Sequence, residues 1–137
     1  MGTESVDSQQ SETRPRVLIV EDEWLIAEDF GDVLVRAGFD VVGPASTAEE
    51  AHELIDREPF VAALLDVNLT DGNTFNLADR LTEKGVPYAY ITGYNAADLP
   101  DHTRGHILVN KPVSDGDLPK IVTRLISQRA SEIAAAS

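Results

Sequence analysis

The sequence contains no cysteine. That excludes disulfides, thiolate-held zinc and a cysteine nucleophile, and it fits a cytoplasmic protein. Basic side chains are scarce: 11 Lys and Arg stand against 24 Asp and Glu, for a formal net charge of −13. Such a chain lacks the basic face that tracks a phosphate backbone or an anionic bilayer, which argues against nucleic acid and membrane as partners. No apolar run approaches the roughly 18 residues of a spanning helix. The opening stretch MGTESVDSQQSETRPR has no apolar core of the signal-peptide kind. Glycine-rich phosphate loops are missing too, since neither G-x-G-x-x-G nor G-x-x-x-x-G-K-[ST] occurs.

What is present suits one folded unit. The 137 residues, 42% hydrophobic, supply one core and too little length for two. Residues 1–14 are polar and read as a disordered tail. Folding is expected to begin near Arg16. Residues 17–20 (VLIV) form a short apolar run of the kind buried on both sheet faces. A helical pattern follows, with Ile26, Phe30, Val33, Leu34 and Ala37 on one face and Gly38 to stop it. Residues 39–42 are a second strand, closed by Gly43-Pro44. Thr47 with Glu50 makes a capping box for a helix whose apolar side is Ala51, Leu54 and Ile55. Residues 60–65 (FVAALL) are a third strand ending at Asp66, residues 73–84 a helix closed by Gly85, residues 86–91 a fourth strand and residues 107–109 a fifth. Between the last two, residues 95–105 make a weak helix interrupted by Pro100 and Gly105. Residues 117 to about 135 form the final helix, with Leu118, Ile121, Val122, Leu125 and Ile126 inward and a frayed end. Short apolar strands alternating with helices imply a doubly wound α/β fold: a five-stranded parallel sheet with helices on both faces. Ligands then sit outside the carboxyl ends of the strands.

At those ends stand Glu21-Asp22-Glu23, Asp66, Thr92-Gly93 and Asn110-Lys111-Pro112. The carboxylates of Glu21, Asp22 and Asp66 repel one another unless a cation lies between them, and an all-oxygen set suits Mg²⁺ better than zinc. Lys111 adds an ammonium and Thr92 a hydroxyl. Together they offer what a phosphoryl group needs around one nucleophilic carboxylate, with Asp66 as that nucleophile at the end of the central apolar strand. Each residue has a plainer reading. Asp22 can cap the first helix, and Asp66 can open a turn with Asp71-Gly72. Thr92 can be an ordinary strand-end hydroxyl, Lys111 a surface lysine, and Glu23 a solvated charge favouring the helix dipole. His52, His102 and His106 show no metal-ligand spacing. Trp24 is a partly exposed helix residue close enough to the cluster to touch a partner. The joint placement at four strand ends outweighs the separate readings.

The pieces VLIVEDE (17–23), LLDVNLTDG (64–72), YITGY (90–94) and NKPV (110–113) occur in an order that resembles the receiver domain of two-component response regulators, over roughly residues 15–130. The resemblance implies a flavodoxin-like sheet of order 2-1-3-4-5 and makes Asp66 the phosphoacceptor. It implies Mg²⁺ held by Asp22 and Asp66, by Glu21 through water and by the backbone carbonyl of Asn68. Thr92 and Lys111 would contact the phosphoryl oxygens, and Lys111-Pro112 would be a cis peptide. Two positions depart from the pattern: Leu108 stands where receivers carry Tyr or Phe, and Thr70 where Pro is common. PYAYITGY (87–94) resembles the FAT GUY receivers of alphaproteobacterial stress and phosphorelay signalling. Gly93 would then let the loop after the fourth strand rearrange.

The expected function is that of a single-domain response regulator. It would take a phosphoryl group from a histidine kinase or histidine phosphotransferase and act on a downstream protein partner, or as a phosphate relay or sink, as a monomer or weak dimer. Few residues follow Lys111, room for one helix and not for an output domain. A Mg²⁺-dependent phosphatase working through an aspartyl phosphate is the enzyme alternative. It would want an acid two residues after the nucleophile, where Asn68 stands. A receiver-like module that binds partners without phosphorylation is the other alternative.

Overall fold

The computed structural model describes residues 14–69, 71–93 and 106–136. The expected weak helix over 95–105, His102, Tyr94, Thr70 and nearly all of the polar tail lie outside them. In chain order the elements are β1 (Arg16–Val20), α1 (Trp24–Arg36), β2 (Asp40–Ala45), α2 (Ala48–Arg57), β3 (Ala62–Asp66), β4 (Asn68–Leu69), β5 (Gly72–Asn73), α3 (Phe75–Lys84), β6 (Tyr88–Thr92), β7 (Ile107–Asn110) and α4 (Asp117–Ala136). The main sheet is parallel in the order β2-β1-β3-β6-β7, which is 2-1-3-4-5 when its own five strands are counted. The two-residue β4 and β5 form a separate antiparallel ladder. Nothing in the sequence pattern announced that ladder, because so short a pairing has no periodicity to read.

Alternation along each strand divides the core. Leu18, Val20, Ala63, Leu65, Tyr88 and Tyr90 face one way, onto Ala51 and Ile55 of α2 and Leu77, Ala78 and Leu81 of α3. Val17, Ile19, Ala62, Leu64, Ala89 and Ile91 face the other, onto Phe30, Val33 and Leu34 of α1 and Leu118, Val122 and Leu125 of α4. Both faces of β1 and β3 are therefore dry, which is why their sequences read as unbroken apolar runs. Register then fixes where the chemistry falls. Val20 pairs with Leu65, Asp66 with Ile91 and Thr92 with Asn110, so the polar strand ends share one edge of the sheet.

Two local expectations are corrected. The second strand does not close at Gly43-Pro44. It continues to Ala45, with a register irregularity opposite Leu18 and Val20. Gly43 makes this possible: its φ is 89°, and a Cβ there would lie 2.7 Å from the Ala45 nitrogen. Pro44, which has no N–H, is tolerated because β2 is an edge strand. Ala37, expected on the apolar face of the first helix, is exposed, because it is the C-cap where the chain turns into Gly38. Elsewhere the punctuation works as the residues predict. Thr47 Oγ1 accepts from the Glu50 N–H at 3.1 Å, and Gly85 closes α3 at φ 73°, with the Val86 N–H donating to the Leu81 carbonyl at 2.9 Å.

Candidate functional site

The acid cluster begins where β1 runs out of apolar residues. The Glu21 N–H donates to the Ala45 carbonyl at 2.9 Å, and the Glu21 carboxylate, buried at 2% exposure, accepts from the Glu23 N–H at 3.1 Å. Glu23, not Asp22, is the N-cap residue of α1, and its side chain makes no capping bond. The N-cap position thus falls one residue after Asp22. Asp22 is half-buried, and the carboxylate oxygens of Glu21, Asp22 and Asp66 lie within 4.8 Å of one another. Among the described residues this is the one such cluster of potential metal ligands, and it contains no histidine. His52 contacts Arg80 at 3.0 Å between α2 and α3, and His106 is exposed and stacks on Tyr88 at 5.0 Å.

Asp66 ends β3. Its Oδ1 accepts from the Asn68 N–H at 3.4 Å and its Oδ2 lies 3.4 Å from Lys111 Nζ. Burial, then the shared hydrogen bond and the charge of Glu21, push its carboxyl up to about 7 against the opposing pull of Lys111 and Asn68. Lys111, directly after β7, reaches Glu21 at 2.7 Å and Glu23 at 3.4 Å as well as Asp66. Burial would lower its basicity, but the bond to Glu21 and the charges of Asp66, Glu21 and Glu23 hold the ammonium above its ordinary value. It is not the free surface lysine of the plainer reading. Thr92, 1% exposed, ends β6, and its carbonyl accepts from the Lys111 N–H at 2.8 Å, which ties the two strand ends together. Lys111-Pro112 is cis, as the resemblance implied. Leu108 pairs with Tyr90 across the sheet and packs on the core beside it. Trp24 is 69% exposed two residues beyond Asp22.

One supporting residue escaped the sequence. Thr74, fully buried at the start of α3, reads as a helix cap. Its hydroxyl instead donates to the Asp66 carbonyl at 2.8 Å, while its N–H donates to the Val67 carbonyl at 3.2 Å. It fixes the backbone of Asp66 from behind. A threonine just before a helix is the only signal, and that signal points to capping.

The donor set fits a hard divalent cation. All ligands on offer are oxygens, and one ammonium faces several carboxylates at close range, so charge is left over for a dication to balance. The protein is a doubly wound α/β sheet with an all-oxygen cluster and a lysine at one edge. More narrowly, the family model of the response regulator receiver domain matches residues 17–123, and the chain belongs to that family. Receiver domains are phosphoacceptors and typically bind Mg²⁺ at an acidic pocket, and the chain is homologous to the response regulators of two-component systems. It is 31% identical over 117 residues to the transcriptional regulatory protein PdtaR of Mycobacterium tuberculosis, covering 82% of this chain and 57% of that protein. It is 29% identical over 114 residues to the phyllosphere-induced regulator PhyR of Methylorubrum extorquens, covering 80% and 43%. The chain thus spans about half the length of these relatives. A CheY-like receiver domain from Methanospirillum hungatei superposes with a TM-score of 0.79 at 26% identity, covering 88% of this chain and 99% of that one. Among the described residues, no helix is long and apolar enough to cross a membrane.

Proposed function

We propose that Asp66 accepts a phosphoryl group from a phosphohistidine on a kinase or phosphotransferase, and that the modified domain signals by binding a protein partner or passes the phosphate on. The observation that carries this is the Asp66 carboxylate, held at a strand end beside Glu21 and Asp22 with the Lys111 ammonium 3.4 Å away. Asp22 and Asp66 would hold Mg²⁺ with their side chains, Glu21 through water and Asn68 with its carbonyl. The bound ion supplies positive charge that offsets the repulsion between carboxylate and phosphoryl oxygens. An Asp66 oxygen attacks phosphorus, the P–N bond breaks, and the imidazole leaves. Lys111 and the Thr92 hydroxyl receive the phosphoryl oxygens. Thr74 and the Asn68 N–H keep the attacking carboxylate oriented.

Labelling from acetyl phosphate tests the reading, with Asp66→Asn alongside. A stable, base-labile and acid-stable label lost in the variant supports it. Rapid turnover of many small phosphate esters favours a phosphatase instead, and absence of any label favours a binding module. The finer placement among FAT GUY receivers draws support from YITGY, from Leu108 in place of an aromatic, and from the likeness to PhyR. It expects beryllofluoride to move backbone amide signals across 92–106, and an unchanged spectrum there would rule it out.

A further inference from the structure

Asp71 ties the hairpin that follows Asp66 to α2. Asp71 sits in the turn between β4 and β5. Its carboxylate accepts from the Ala48 N–H with Oδ1 at 3.0 Å and Oδ2 at 3.1 Å, and from the Glu49 N–H at 3.5 Å. These amides open a helix and have no partner within it. Their bonds, that of Ala48 first, hold the Asp71 carboxyl below the usual carboxylate range. Since Thr47 already caps α2 from within its own segment, Asp71 is a second cap brought from another loop.

The same stretch of chain fixes the other half of the acid cluster. The Ala45 carbonyl accepts from the Glu21 N–H, so the Glu21-Asp22 loop is fastened to the first residue of the stretch 45–49 and the β4–β5 hairpin to the last two. The base of the hairpin is held by Thr74, one side by buried Leu69, and its tip by Asp71. Carboxylates that repel one another keep their spacing only if the backbone imposes it, and a shared anchor does so.

We propose that Asp71 is a positioning residue for phosphoryl transfer: by clamping the β4–β5 hairpin to α2, it sets the distance between the Asn68 backbone and Glu21, Asp22 and Asp66. The proposal rests on the reading of Asp66 as phosphoacceptor.

The test compares Asp71→Ala, Asp71→Asn and Thr47→Ala in the full chain. It measures urea stability, Mg²⁺ affinity from the fluorescence of Trp24, labelling from acetyl phosphate, and the amide shifts of Asn68, Leu69 and Gly72 without metal. Asp71→Ala is expected to weaken Mg²⁺ binding about tenfold, the low end for residues that orient metal ligands, with labelling restored at high Mg²⁺. Asp71→Asn keeps one acceptor and recovers most of the affinity. Thr47→Ala removes the other cap, so it loses stability but leaves Mg²⁺ affinity and the hairpin amides unchanged. Mg²⁺ affinity in both Asp71 variants within about twofold of the native chain overturns the proposal, whatever the stability loss. A native chain that neither binds Mg²⁺ nor takes label defeats the reading of Asp66 by itself. The metal-free amides then decide the clamp: movement in the Asp71 variants but not in Thr47→Ala upholds it, and no movement overturns it.

Discussion

Asp66 is the residue where position and charge conflict. Its carboxyl is raised to about 7, first by burial and then by Glu21. In the unfolded chain it ionises near 4, in the ordinary carboxylate range. Between those two values the folded, metal-free protein holds a proton that the unfolded chain has released, so stability falls as pH rises through the window and levels off above it. Asp66→Asn removes that proton. In urea titrations without metal, the variant is expected to match the native chain near pH 4 and to exceed it increasingly up to about pH 7. A constant difference across the window would contradict this account of the cluster. The placement of Glu21, Asp22, Asp66 and Lys111 on one edge was legible in the sequence because each follows an apolar run directly or one residue later, and strand ends can be located from such runs. The roles of Thr74 and Asp71 were not, because each depends on a hydrogen bond to a backbone group in a separately folded segment. Residue type does not reveal such a bond, since a threonine near a helix start and an Asp-Gly pair have commoner uses as a cap and a turn.

At the scale of elements, the five strands of the main sheet and the helices among the described residues follow from periodicity and from Thr47, Gly85 and the apolar runs, whereas the β4–β5 ladder and the end of β2 do not. Gly-Pro ordinarily ends a strand, but here Gly43 takes a left-handed angle that carries the chain past an irregularity to Ala45. The carbonyl of Ala45 is then available to the Glu21 N–H, so the acid cluster depends on this turn of the edge strand. Gly43→Ala brings both an unfavourable φ and a Cβ 2.7 Å from the Ala45 nitrogen and 3.1 Å from the Ile19 carbonyl oxygen. A loss of about 3 kcal/mol is expected, at the upper end for local backbone strain. Gly38→Ala, at φ 102° with open space around the new methyl, should cost about 1 kcal/mol from the backbone angle alone. Equal losses for the two, measured by denaturant unfolding, would mean that the contact at Gly43 relaxes away.

For the whole molecule the net charge of −13 and the local cluster have to be separated. Any salt screens a uniformly acidic surface, and the stabilisation then depends on ionic strength and not on the identity of the cation. A cluster of three carboxylates within 4.8 Å asks for something more specific. A ligand that binds only the folded state stabilises it by about 2.7 kcal/mol at a hundred times its dissociation constant, which for a domain of this size raises the melting temperature by about 10 °C. Mg²⁺ at that level is therefore expected to raise the midpoint by about this amount. NaCl at matched ionic strength should give a smaller rise, and Asp22→Asn should reduce the Mg²⁺ effect to that of NaCl. The Mg²⁺ effect should also be larger at pH 8 than at pH 5, because a proton on Asp66 competes with the cation below about pH 7. If Mg²⁺ and NaCl stabilise the native chain equally at both pH values, the acidity acts only as a diffuse surface charge, and the strand-end carboxylates do not form a cation site.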